Sequence, residues 1–285
     1  STDKSAEICK KYDCRVIRQN NNGVSFARNA GINAANGQWL WFVDADDTVE
    51  PNNICALLDL SLVNELDVLL FNYSDLSEDG ENLNKGSSFD NSGIMNGIDF
   101  VDNTFGDSIV YHMGYPVRFL CRRDYLINKN IFFPENIRYG EDTVWMPKII
   151  LKANRIQSSH MIGYYYWHRK SSTCGQFDNI YPARTIIERC FCTSRLLFDF
   201  AAELSISKYS NVFCLAAKTM YINRLPLYLC RTTKDERKLF YKKISTLNIN
   251  DIKRDMTLLT KLLIIPCVGK YLATIMAHFY KQIHE

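Results

Sequence analysis

Trp39-Leu40-Trp41-Phe42-Val43-Asp44-Ala45-Asp46-Asp47 is the stretch that decides the fold class. An apolar run with aromatic and β-branched character runs straight into three carboxylates. Such a run reads as a strand buried on both faces. Working upstream, residues 24–35 read as a helix. Its small residues Ala27, Ala30, Gly31 and Ala34 recur at i, i+3, i+4 and i+7, a stripe that lets a helix lie close to a sheet. Asn36-Gly37 stops it. Farther back, Asn20-Asn21-Asn22-Gly23 is turn chemistry, Arg15-Val16-Ile17-Arg18 reads as a short strand, and residues 3–12 read as a helix. Downstream, Pro51 opens a helix to about residue 65, and Asp67 to Tyr73 reads as another buried strand. Helix and strand alternate, the mark of an α/β domain with a parallel or mixed sheet.

Beyond residue 73 the pattern loosens. Residues 74–95 are rich in Ser, Asp, Asn and Gly and read as a loop. Helices follow near 97–105, near 122–130 and from Glu141, and Tyr164-Tyr165-Tyr166-Trp167 reads as an aromatic strand. From about residue 180 the periodicity is helical. The division expected is a catalytic α/β domain over 1–175 and a helical region over 176–285.

The chain has 285 residues, 47% hydrophobic and 23% charged, which gives ample core and excludes a disordered composition. A net charge of +3 is too weak to argue for nucleic acid. Ten cysteines form no C-x-x-C pair and the chain is long, which favours a reducing compartment over a disulfide framework. The five histidines lack metal-ligand spacing. No stretch reaches the apolar length of a spanning helix, about 20 residues. The tail 258–283 interleaves apolar residues with Lys261, Lys270 and Lys281. A peripheral membrane contact and a core-packing helix pair are equally open for it.

Asp44, Asp46 and Asp47 follow directly on the strand, where ligands bind in open α/β sheets. Like charges this close repel and need a cation or wide solvation. Hard divalent ions take oxygen ligands and complete their shell with phosphates. The plainer reading is a solvated turn before the helix at Pro51. A further alternative uses the same letters. Phe42-Val43-Asp44-Ala45-Asp46-Asp47-Thr48 is similar to the D-x-D-x-T signature of haloacid-dehalogenase-like phosphotransferases, with Asp44 as nucleophile and Asp46 as acid/base. That signature normally lies on the first strand of its domain, whereas a strand and two helices are expected before it here.

The pattern Asn22-Gly23-Val24-Ser25-Phe26-Ala27-Arg28-Asn29-Ala30-Gly31-Ile32, then Ala35-Asn36-Gly37, then Phe42 to Asp47, resembles family 2 glycosyltransferases of the GT-A fold. Tyr139-Gly140-Glu141-Asp142-Thr143 looks like their E-D motif. Tyr164 to Ser172 is similar to their Y-x-Y-x-x-R-x-x-S stretch. The resemblance covers about residues 1–173.

This resemblance implies an inverting transfer of sugar from a nucleoside diphosphate sugar to a glycan or lipid-linked acceptor, in surface polysaccharide synthesis. It implies Mg²⁺ or Mn²⁺ held by Asp46, with Asp44 toward the ribose side. Asn22, Gly23, Arg28, Asp47 and Arg169 would bind substrate. Asp142 would be the general base, suited to it if its pKa is raised by burial or by a neighbour such as Glu141. Acids in the first turn of a helix also have a structural reading, through the macrodipole. His168 reads as a packed or solvated histidine. The location implied is the cytoplasm or the inner face of a membrane. The family's opening strands have no counterpart before Ser1, so the chain is expected to be N-terminally truncated and to bind sugar nucleotide poorly as it stands. A non-catalytic binding module is the second alternative.

Overall fold

β3 (Val68–Leu76) runs through the middle of a five-stranded mixed sheet. On one side lie β4 (Phe119–Arg122) and then β1 (Trp39–Trp41), and on the other β5 (Ile156–Trp167) and then β2 (Thr48–Val49). β3 and β5 pair in parallel, and the other three pairings are antiparallel. The structure is a computed structural model. It describes residues 4–83, 88–105, 115–135, 137, 140–169, 192–193, 195–197, 199–200, 202–204 and 233–244.

The sheet is covered on both faces, as a mixed sheet with helical crossovers should be. Successive residues of β3 point to opposite faces, and the two apolar clusters divide accordingly. Val68 and Leu70 join one cluster with Ile32, Phe100, Phe133, Trp145 and Ile149. Its helices are α2 (Val24–Ala34), α4 (Gly97–Thr104), α5 (Arg123–Asn128) and α6 (Glu141–Leu151). Leu69 and Phe71 join the other with Leu57 of α3 (Pro51–Val63), Leu66 and Tyr164. Two glycines allow close approach. A Cβ on Gly163 would lie 2.7 Å from the Phe71 ring. One on Gly97, at the start of α4, would lie 1.8 Å from the Ile150 carbonyl oxygen of α6.

Several sequence expectations are corrected. The doubly buried strand is β3, not the run at 39–43. β1 is three residues long and half-buried throughout. It stands at the sheet edge with only β4 beside it among the described residues, and Val43 is 50% exposed. Residues 15–18 make no ladder with any described strand. Instead Arg15 Nη1 donates to the Ala34 carbonyl at 2.8 Å. α1 covers only Ser5–Cys9. The buried face of α2 is Ser25, Asn29 and Ile32, not the small-residue stripe. The reason is that Asn29 buries its amide against chain from another element, which a period count of apolar residues does not weigh.

β2, β4 and the first half of β5 are strands that the sequence pattern does not mark. β4 is four residues that merge into the helix signal near 122–130, and in β5 only Ile156 precedes the polar Gln157-Ser158-Ser159-His160. Among the described residues no helix is long and apolar enough to cross a membrane. α7 (Lys234–Ile244) lies in the region expected to be helical. The rest of 205–285, the tail 258–283 included, lies outside the described residues.

Candidate active site

The site is assembled from three pieces of chain: the start of α2, the loop after β1, and the start of α6, with the end of β5 closing one side. Gly23 precedes α2 at φ +98°, a left-handed conformation that favours glycine, and its N–H donates to Asn21 Oδ1 at 3.3 Å. One turn into the helix, Asn29 clasps residue 133 as a strand partner would. It accepts from the Phe133 N–H at 2.9 Å and donates to the Phe133 carbonyl at 2.9 Å. Phe133 in turn stacks on Trp145 of α6 with ring centroids 4.4 Å apart, and Phe42 packs edge-on against both. The aromatic cluster therefore fixes α2, the end of the β1 run and α6 relative to one another.

Arg28 is laid over the Phe133 ring, its guanidinium carbon 5.1 Å from the centroid. From there it forks. Nη1 donates to Glu141 Oε1 and Nη2 to Asp44 Oδ1, both at 3.1 Å. Two carboxylates far apart in sequence share one largely buried cation.

α6 begins after Gly140, another left-handed glycine at φ +79°. Burial pushes the Glu141 carboxyl up to about 7, and the neighbouring Asp142 adds to this while Arg28 opposes it. Asp142 is also raised, by burial above all. The Thr143 N–H donates to Asp142 Oδ1 at 2.7 Å and holds the shift back, with Arg28 acting the same way.

The three carboxylates after β1 part company. Asp44 turns to Arg28. Asp47 is spent on β5: it accepts from the Tyr164 hydroxyl at 2.7 Å and from the Trp167 N–H at 2.9 Å. Burial raises its pKa, those two hydrogen bonds lower it, and Asp46 and Asp44 raise it further. The Tyr164 hydroxyl also accepts from the Asp44 N–H at 3.1 Å, so one buried phenol spans the loop. Asp46 is exposed, and its carboxylate has no hydrogen-bond or ion-pair partner among the described residues. Its carbonyl accepts from Arg169 Nη2 at 2.7 Å. The Tyr165 hydroxyl donates to Glu50 Oε2 at 2.7 Å, which fixes the start of α3 to the same strand end.

Among the described residues no group of three His, Cys, Asp or Glu side chains converges to enclose a metal. The donor set fits a different arrangement, a hard divalent ion that takes one or two carboxylates and fills its remaining positions with phosphate oxygens and water. Asp46 offers a free carboxylate for it, with Asp44 next to it in the loop.

Of the residues singled out in the sequence, Arg28, Asp44, Glu141 and Asp142 come together, and Asp46, Asp47 and Arg169 meet at the end of β5. Asn22 and Gly23 stand at the start of α2 and touch none of these carboxylates among the described residues. Sequence reasoning gave no role to Asn29, Glu50 or the Tyr164 hydroxyl. Asn29 lies inside the quoted motif, directly after Arg28, but its task depends on a backbone segment that spacing does not reveal.

Residues 1–128 match the family model described as Glycosyl transferase family 2. The uncharacterized glycosyltransferase YibD of Escherichia coli is 30% identical over 181 residues, which is 60% of this chain and 52% of YibD. The poly(ribitol-phosphate) beta-glucosyltransferase of Bacillus spizizenii is 30% identical over 175 residues, 58% of this chain and 26% of that protein. The crystal structure of S. aureus TarS 1-349 in complex with UDP-GlcNAc superposes with a TM-score of 0.63 at 17% identity, over 99% of this chain and 80% of that one. The fold is thus that of GT-A enzymes, and residues 1–128 are similar to the family 2 glycosyltransferases. It spans about half the length of the curated relatives it matches first, with 52%, 46% and 45% of them covered.

Proposed function

We propose that the protein is an inverting glycosyltransferase that moves a sugar from a nucleoside diphosphate to a hydroxyl of a glycan or lipid-linked acceptor, in surface polysaccharide synthesis. The observation that carries this is the fork of Arg28 to Asp44 and Glu141. It brings the loop after β1, the donor side of the reading, within one side chain of the first turn of α6, the base side. S. aureus TarS is recorded with UDP-GlcNAc, and several relatives are glycosyltransferases by name, both of which support a sugar-nucleotide donor.

In this reading Asp142 accepts the proton of the acceptor hydroxyl as the oxygen attacks the anomeric carbon. Burial raises its basicity, and the Thr143 N–H fixes the orientation of its carboxyl. Glu141, held by Arg28 and pushed up to about 7 by burial, stands beside that base. Arg28 and Arg169 supply cations to the diphosphate side, and Asn22 and Gly23 approach the nucleotide at the start of α2. A bound Mg²⁺ or Mn²⁺ on Asp46 and Asp44 would neutralise charge on the departing diphosphate. Residues 1–175 form the catalytic domain, and 176–285 the helical region that meets acceptor or membrane. The enzyme would work in the cytoplasm or at the inner face of a membrane.

The test is donor turnover by the full-length protein, screened across nucleotide sugars with Mn²⁺. Asp142→Asn and Asp46→Ala should each lower kcat by at least about 100-fold, the scale of a lost general base or charge stabiliser, with circular dichroism unchanged. Wild-type turnover that survives Asp142→Asn would refute the base. A covalent phosphate on Asp44 would restore the phosphotransferase alternative.

A further inference from the structure

The end of β5 is held to the site from two sides, and only one of them belongs to the loop after β1. Trp167 and Arg169 reach that loop through Asp47 and the Asp46 carbonyl. His168, between them, turns the other way. Its N–H donates to the Leu76 carbonyl at 2.7 Å, and its Nε2 lies 2.6 Å from Asp75 Oδ1. Asp75 is 3% exposed, at the carboxyl end of the central strand, paired in register with Tyr166. Its Oδ2 has no hydrogen-bond partner among the described residues. A carboxyl buried with one oxygen unpaired costs stability. What the arrangement gains is a fixed imidazole. The Tyr166 ring, edge-on at 5.0 Å, limits the ring's swing on another side.

We infer that Asp75 is a positioning residue for Arg169: through His168 it fixes the last turn of chain before Arg169, so that the guanidinium stays over the Asp46 carbonyl. Arg169 is itself exposed, and a long exposed side chain loses rotamer freedom when it is held. Its backbone must therefore be set by something deeper in the sheet. The loop contacts cannot do this alone, because Trp167 and Arg169 both lean on the loop they are meant to hold. Asp75 belongs to the central strand β3, where it is paired with Tyr166 of β5 and its own carbonyl accepts from the Leu83 N–H at 2.9 Å.

The inference rests on the glycosyltransferase reading only for what Arg169 does, not for how it is held. The experiment therefore has two arms, both on the full-length protein. In the first, amide hydrogen exchange is followed at Trp167 and His168. Asp75→Ala and His168→Ala should each speed exchange there by about tenfold or more, a local opening, while the β3–β4 ladder stays protected. Asp75→Asn, whose amide oxygen still accepts from Nε2–H, should restore slow exchange. His168 is 40% exposed, so its alanine variant folds even if Asp75→Ala does not.

In the second arm, UDP with Mn²⁺ is the probe. Asp75→Ala should weaken UDP binding several-fold in the wild-type background and not at all when Arg169→Ala is already present, because groups acting through one another are not additive. Unchanged exchange at Trp167 and His168, or losses that multiply in the double variant, overturns the inference. If the wild type binds no UDP, the donor reading fails, and the exchange arm still decides the role of Asp75.

Discussion

Arg28 Nη1 and Glu141 Oε1 meet at 3.1 Å across 113 positions of sequence. That contact ties the first long helix to the first turn of α6, and with the second branch to Asp44 it makes Arg28 the keystone of the site. The Arg28 side chain is 12% exposed, and those of its partners 41% for Asp44 and 11% for Glu141.

Removing the guanidinium leaves one largely buried carboxylate without a partner, which costs about 3 kcal/mol in comparable cases. Arg28→Ala should lower stability by that order in urea unfolding, with the larger loss at pH 8, where Glu141 would have to ionise unpaired. Arg28→Lys should recover little of it, because an ammonium cannot fork to two carboxylates and lie over Phe133 at once.

Glu141 makes the pH dependence specific. Its folded pKa of about 7 stands above its ordinary 4.5. Between those values the folded state holds a proton that the unfolded state has released, so this group's stabilisation is complete below pH 4.5 and is lost as pH rises through about 7. Glu141→Gln removes that slope. Its melting temperature, compared with wild type, should gain as pH climbs from 5 to 8, and a difference that stays flat would show that the carboxyl is not raised.

Tyr164→Phe deletes one hydroxyl that serves both Asp47 and the Asp44 N–H. Each broken hydrogen bond with a half-buried partner costs about 1 kcal/mol or more, so a loss of roughly 2 kcal/mol is expected in thermal unfolding. A loss confined to a few tenths would mean that water replaces the phenol without penalty.

Gly97→Ala probes the packing of α4 on α6. The added methyl would meet the Ile150 carbonyl at 1.8 Å, and backbone cannot step aside as a flexible side chain can. Overpacking of this kind costs about 1–3 kcal/mol or more. Urea unfolding should show it, and turnover should fall with it, because α6 carries Glu141 and Asp142 at its other end.

Much of this architecture was legible before any coordinates. Pro51, the turn at Asn36-Gly37 and the apolar run Val68 to Phe71 mark their elements through local chemistry, and local chemistry is what a sequence displays. Arg28, Asp44 and Asp142 stand in motifs that a sequence displays by spacing alone. What escaped was cooperative. Burial of β1 depends on how many neighbours it has, not on Trp39 or Trp41 themselves. Asn29 is buried because Phe133 offers it a donor and an acceptor. The separate fates of Asp44, Asp46 and Asp47 are decided by Arg28 and Tyr164, both distant in the chain.

The pairing of β3 with β5 slips twice, opposing Phe71 to Ser159, Asn72 to Ile162 and Tyr73 to Tyr164, so that His160, Met161 and Gly163 face no partner in β3. Asn72 stitches the gap by donating to the His160 carbonyl at 3.1 Å. The slack sits upstream of every β5 residue that touches the acidic loop. The number of residues in that slack, more than their identity, therefore sets how far Tyr164, Trp167 and Arg169 extend. Deleting one of them would draw the whole aromatic arm back along the sheet and uncouple it from Asp47 while leaving each contacting side chain unaltered, so that insertions and deletions here are a coarser dial on this site than any point substitution in the loop.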